Sequence, residues 1–157
     1  MEVTLLAVGR LRPYYREAGD DYARRLNRYL RLHEVEVREA SRAGSLERQR
    51  AEEATRIRER LPARALVVAL AREGKPWTSE ALAANLSRWQ EGARPVALVL
   101  GGSHGLDPGL LSAAEARWSL GPLTLPHELA RVVVLEQLYR ACTILRGEPY
   151  HKGAAAR

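Results

Sequence analysis

Two apolar runs constrain this chain most: ALVVALA at residues 65–71 and VALVL at residues 96–100 contain no polar side chain. A strand with one wet face alternates apolar and polar residues. An unbroken run needs cover on both faces, which a parallel sheet flanked by helices provides. Residues 3–8 give a further strand signal, residues 34–38 an alternating one, and residues 118–120 a brief one.

Helical patterns fill the intervals. Residues 14–32 follow Pro13 and put Tyr22, Leu26, Tyr29 and Leu30 on one side. A strongly charged stretch at 46–61 is stopped by Pro62 and is sparse enough in apolar residues to lie on the surface. Thr78 or Ser79 can cap a helix that carries Leu82, Leu86 and Trp89 inward before Gly92 ends it. Asp107 before Pro108 is a cap followed by a favoured first helical residue, which predicts a helix over 108–117. Pro126 opens a last helix that runs to about Arg146, and the sequence from Arg72 to Pro76 reads as a turn. Strands alternating with helices predict an α/β fold built on a parallel sheet. A length of 157 residues suits one domain, residues 1–157.

Composition sets the chemistry that is excluded. No apolar run approaches the roughly 20 residues that span a bilayer, and the N-terminal MEVTLLAVGR reads as a strand rather than a signal peptide, so a cytoplasmic protein with no membrane partner is expected. The single cysteine, Cys142, cannot form an internal disulfide and falls on the apolar side of the last helix as a buried thiol. His104, His127 and His151 lack metal-ligand spacing, so no metal is expected. The net charge of +6 makes an anionic partner plausible, nucleic acid first. Arg10, Arg12, Arg16, Arg24, Arg25, Arg28 and Arg31 crowd the first fifth of the chain, as an RNA contact or as a solvated helix face.

Ligands of open α/β sheets sit outside the carboxyl ends of the strands, which nominates Leu70, the Gly101 loop and the segment after Leu120 for one shared pocket. GGSHG at 101–105 puts glycine where backbone must approach closely, although such pairs also make plain turns. Gly121 and Pro122 interrupt regular pairing and free backbone groups that can read an adenine ring, or else form a buried corner. Glu136 and Arg140 stand four apart and can pair along the last helix. The tail places a ring, an imidazole and a cation together at Tyr150, His151 and Lys152, a set suited to a nucleotide.

Taken together, LLAVGR at the start, GKPW at 74–77, LVLGGSHGL at 98–106, LTLPHELARVVVLEQLYRA at 123–141 and GEPYHK at 147–152 resemble the RlmH family across nearly the whole chain. These are small SPOUT-class methyltransferases that act on N3 of a pseudouridine in large-subunit (23S) ribosomal RNA. The resemblance implies a C-terminal trefoil knot, S-adenosyl-L-methionine as cofactor, an obligate homodimer, and large-subunit RNA or the assembled ribosome as partner. It assigns cofactor binding to Leu70, Gly101, Leu120, Gly121, Pro122, Leu123, Thr124 and Leu125. It assigns the substrate side to Arg140, Tyr150 and His151, with His127 a weaker candidate. Ala71 departs from the acidic residue that relatives often carry, and residues 153–157 extend past the usual end, where they could crowd the tail.

Methyl transfer to an imide nitrogen requires an in-line nucleophile held within about 3 to 3.5 Å and stripped of its proton. On the resemblance, His151 or Tyr150 orients and deprotonates the base, and Arg140 offsets the charge that develops on the imide oxygens. A subunit this small cannot enclose a ribosomal substrate, so the tail of one protomer is expected at the cofactor of the other. Two rival readings stay open: a non-catalytic basic RNA-binding module, and a SPOUT enzyme acting on another RNA.

Overall fold

Residues 1–152 are described by a computed structural model; the extension at 153–157 lies outside the described residues. Its frame is a sheet of five strands, β1 (Glu2–Val8), β2 (Arg31–Val37), β3 (Leu66–Lys75), β4 (Val96–Leu100) and β5 (Ala116–Trp118). The order is β2-β1-β4-β3-β5 and every neighbouring pair is parallel. All five residues of β4 are buried, as its unbroken apolar run requires.

Alternation along the strands divides the core in two. Val3, Leu5 and Ala7 join Val96, Leu98 and Leu100 on the face covered by α1 (Pro13–Leu26), α3 (Ser79–Glu91) and α5 (His127–Arg146). Leu6 and Val8 join Ala69 and Val99 on the other face, beneath α2 (Leu46–Arg60) and α4 (Pro108–Ala113). Each fully buried leucine or valine adds about 1.5–3 kcal/mol, so the two central strands anchor the fold. Cys142 is buried in the first of these clusters, and burial pushes its thiol up to about 12.

Local chemistry sets the helix starts. Thr78 Oγ1 accepts from the Ala81 N–H at 3.0 Å, and Asp107 Oδ2 accepts from Gly109 and Leu110 N–H at 2.9 and 3.3 Å. As expected from its sparse apolar positions, α2 buries only Glu53, Ala54 and Ile57.

Three boundaries differ from the sequence reading, the first through bonds local in sequence and the other two through partners distant in sequence. The first helix stops at Leu26 instead of continuing to residue 32. Asn27 ends it by donating to the Ala23 carbonyl at 3.0 Å and accepting from the Leu32 N–H at 3.0 Å, so that Leu32 already belongs to β2. The helix expected over 108–117 ends at Ala113, because the Glu115 N–H bonds the Val67 carbonyl at 2.9 Å and Ala116 begins pairing with β3. The last strand accordingly occupies Ala116–Trp118 rather than 118–120. Finally, the segment read as a turn after residue 71 is a bulge within β3: Leu70 and Lys75 both pair with Trp118. A Cβ at Gly74 would stand 2.6 Å from the Arg117 carbonyl carbon, so this re-entry admits only glycine.

The chain leaves β1 toward β2 on one side of the sheet and β4 toward β5 on the other. The carboxyl ends of these adjacent strands therefore form the switch point at which open α/β sheets bind ligands.

Candidate functional site

The carboxyl ends of β3, β4 and β5 enclose a cleft of about 170 Å³. Leu70, Ala71 and Arg72 come from the first strand end, Leu100, Gly101, Gly102 and Gly105 from the second. Trp118, Ser119, Leu120, Gly121, Leu123, Thr124 and Leu125 come from the third, and His127 and Ala130 of α5 complete the wall. The sequence-nominated residues are thus gathered in one place, except that Pro122 lies exposed in the loop and does not line the cleft. Among the lining residues not named as cofactor contacts from the sequence are Arg72, Leu100, Gly102, Gly105, Trp118, Ser119 and Ala130. For Gly105 a signal existed in the GGSHG motif, whereas Ala130 reaches the cleft only through helix packing.

Two glycines shape the cleft. A Cβ at Gly101 would lie 2.6 Å from the Gly105 carbonyl carbon, so the loop folds back on bare backbone. Gly121 has φ +111°, a conformation that L side chains resist, and its N–H donates to Ser119 Oγ at 3.1 Å. Leu123, which lines the cleft, is 75% exposed. With Gly101→Ala, ligand affinity at this cleft should fall by more than about tenfold with the fold retained, since the methyl group forces the loop open. Isothermal titration checks the affinity and circular dichroism the fold; wild-type affinity would contradict the cleft's role.

His127 stands at the start of α5 beside Glu128, which meets the positive end of the helix dipole. Glu128 also accepts from Arg12 Nε at 2.9 Å, and this bond holds its carboxyl below the usual range. Buried Arg131, one turn on, donates to Glu36 Oε2 at 2.5 Å and to the Gly9 carbonyl at 2.8 Å. These contacts pin the head of α5 to the carboxyl ends of β1 and β2.

A second cluster forms where the tail returns to α5. Arg140 Nε donates to Glu136 Oε1 at 2.8 Å, and the Arg140 guanidinium lies 4.7 Å from the centre of the Tyr150 ring. The intrahelical pair read from the spacing is therefore present, and the tail is docked on it. Tyr139 meets the Tyr150 ring edge-on, with centres 4.7 Å apart. Tyr150 Oη donates to Glu136 Oε1 at 3.2 Å; burial and the nearby Glu136 charge push its phenol up to about 12. His151 Nδ1 lies 3.1 Å from Arg140 Nη1, and His151 Nε2 lies 2.9 Å from Glu80 Oε1. Arg140, Tyr150 and His151 thus stand together, and Glu80 and Glu136 join them.

The crowded arginines at the start of the chain are largely neutralised. Arg16 bonds Asp20, Glu34 and Glu36, Arg24 and Arg25 bond Asp21, Arg31 bonds Glu2, and Arg12 bonds Glu128. Most of this cluster is a solvated, ion-paired surface rather than a bare cationic face. No helix among the described residues is long and apolar enough to cross a membrane.

A family model described as predicted SPOUT methyltransferase matches residues 1–151. Ribosomal RNA large subunit methyltransferase H of Anaeromyxobacter sp. (strain Fw109-5) is 49% identical over 153 residues, covering 97% of this chain and all of that protein. The protein of the same name from Rubrobacter xylanophilus is 52% identical, covering 94% of this chain and 96% of its own length. Among solved structures, a probable methylase family protein from Haemophilus influenzae Rd KW20 superposes with TM-score 0.54 at 14% identity, over 96% of this chain and 70% of that one. That likeness shows a shared fold, which the five-stranded parallel sheet already describes. With the family model spanning the sheet, the cleft and the docked tail alike, this chain belongs to the SPOUT methyltransferase family, in the group of ribosomal RNA large subunit methyltransferase H.

Proposed function

We propose that the chain methylates N3 of a pseudouridine in large-subunit (23S) ribosomal RNA, in the cytoplasm, with S-adenosyl-L-methionine as cofactor. The observation that carries this reading is the cleft at three converging strand ends, floored by glycine backbone, in a chain 49% identical to a ribosomal RNA large subunit methyltransferase. The residues present suit the cofactor. Leu70, Gly101 and the loop residues Leu120, Gly121, Leu123, Thr124 and Leu125 would hold it, pairing apolar side chains with backbone groups outside regular secondary structure. When bound, S-adenosylmethionine supplies an electrophilic methyl group on a sulfonium.

The chain's own residues then position the base and remove its proton. His151 accepts the N3 proton, and Arg140 sets its cation against the charge left on the imide oxygens. With its phenol at about 12, Tyr150 stays neutral near pH 7, so it serves as stacking surface and hydrogen-bond donor rather than as base. The neutralised arginines weigh against the rival of a non-catalytic basic RNA module, which would need a free cationic face.

The reading includes a C-terminal trefoil knot. Its support is the chain path: from β4 the chain crosses to the sheet edge at β5, and α5 then returns to pack on α1 and α3. A homodimer completes the proposal. Ala130 lines the cleft and Arg140 carries the tail, and ten residues at 1.5 Å of rise separate them by about 15 Å along α5. That gap is several times the in-line distance of methyl transfer, which favours the tail of a second copy at each cleft.

A mixed dimer tests the arrangement. One subunit carries Gly101→Ala and the other His151→Ala; shared sites leave one intact cleft-and-tail pair, so about half of wild-type activity is expected by counting sites. Sites built within single subunits would leave this dimer inactive, the result that contradicts the proposal.

A further inference from the structure

Glu80 is 71 residues from His151 in sequence, in the first turn of α3, and although it joins the tail cluster it has no role in the chemistry proposed above. Its Oε1 lies 2.9 Å from His151 Nε2, while Arg140 Nη1 lies 3.1 Å from His151 Nδ1. A guanidinium N–H can only donate, so Nδ1 accepts. Nε2 must then carry the ring proton and donate it to the Glu80 carboxylate, which can only accept. The two partners fix both the plane and the tautomer of the imidazole.

From this geometry we infer that Glu80 is a positioning residue for the proposed methyl transfer, holding His151 in the Nε2–H tautomer so that Nδ1 is the atom that takes the substrate proton. The inference rests on the function proposed above. A base oriented by a hydrogen-bonded carboxylate follows the same physical logic as other catalytic imidazoles: the carboxylate sets the tautomer, then stabilises the imidazolium that forms. As the base arrives, Arg140 gives up its bond to Nδ1 and turns to the imide oxygens, exchanging a neutral acceptor for a developing anion. The balance is complete. The N3 proton passes to Nδ1, the N3 electron pair forms the bond to the methyl carbon, and the carbon–sulfur pair returns to sulfur. The Nδ1 proton is then released to solvent.

Alternative duties for Glu80 are limited. Its side chain is more than half exposed, so it adds little to the core, and an exposed ion pair screened by solvent adds little to the stability of a fold. The cap of α3 is the bond from Ala81 N–H to Thr78 Oγ1, and the Glu80 carboxyl adds contacts to the Thr78 hydroxyl and to its own backbone N–H. The bond to His151, together with the backbone N–H of its own helix turn, holds the Glu80 carboxyl below the usual range, so the acceptor is ionised at neutral pH.

The experiment compares Glu80→Ala and Glu80→Gln with wild type by long-range proton–nitrogen NMR of the His151 ring, cofactor titration, and steady-state methylation of large-subunit RNA. Expected for Glu80→Ala, in which only the Arg140 bond still disfavours a proton on Nδ1, is a smaller Nε2–H fraction of the His151 ring, kcat lowered by about tenfold or more, and cofactor affinity unchanged. Glu80→Gln keeps a carbonyl acceptor and should restore the Nε2–H tautomer and part of the rate. An unchanged tautomer in Glu80→Ala, or turnover within about twofold of wild type, would overturn the inference. Wild-type protein that binds cofactor yet methylates no RNA contradicts the proposed function, while the ring spectrum of that same protein still decides whether Glu80 sets the tautomer.

Discussion

Replacing His151 with alanine is expected to lower turnover by about 100-fold or more while cofactor binding stays at the wild-type level. The side chain is only 15% exposed and both ring nitrogens are engaged, so it is held in place before any substrate arrives. Loss of the ring does not release the tail. Tyr150 remains stacked against Arg140 and edge-on to Tyr139, and its hydroxyl still reaches Glu136. The deficit should therefore lie in the chemical step, visible in single-turnover rates at saturating cofactor. Near-normal single-turnover rates would remove His151 as the proton acceptor.

The second large effect is on stability. Arg131 is 2% exposed, and its guanidinium joins α5 to Glu36 of β2 and to the Gly9 carbonyl, 122 residues away in sequence. Arg131→Ala deletes a buried cation, strands the Gly9 carbonyl and leaves a cavity, which together should cost about 3–5 kcal/mol of unfolding free energy. Glu36 is partly exposed and keeps its bond to Arg16, which places the expected loss at the lower end of that range. Arg131→Lys retains charge but not the two-pronged geometry, so a loss of about 1–2 kcal/mol is expected. Urea unfolding midpoints measure both; a loss below about 1 kcal/mol for the alanine variant would show that Arg131 does not bear the junction. Because the same contacts set the head of α5 beside the cleft, the lysine variant should also bind cofactor more weakly than wild type.

Much of this molecule is legible in its sequence wherever the signal is local. The two apolar runs specify strands with both faces covered, and the paired glycines after the second mark a strand end where backbone comes close. Thr78 and Asp107 announce their helices because a cap is a matter of three residues. Two of the boundaries that shifted depend on distant partners. Nothing near Glu115 indicates that the Val67 carbonyl will claim its N–H, and nothing near Arg72 indicates that Lys75 will return to Trp118.

The site divides along the same line. Glu136 and Arg140 could be paired from their spacing, and the family resemblance placed Tyr150 and His151 beside the reaction. Glu80 could not be found that way, since only the packing of α3 on α5 carries it to the tail. The arginine-rich start shows the converse. Composition suggested an anion-binding face, but the carboxylates of α1 and β2 that neutralise it are interleaved only in the fold.

The most direct test supplies large ribosomal subunits lacking the modification, adds the purified chain with S-adenosylmethionine, and maps the RNA by mass. A single added methyl group on N3 of one pseudouridine, absent when the protein carries Gly101→Ala, is the predicted result. RNA that gains no methyl group, or gains it at another atom or on another nucleotide, would contradict the account.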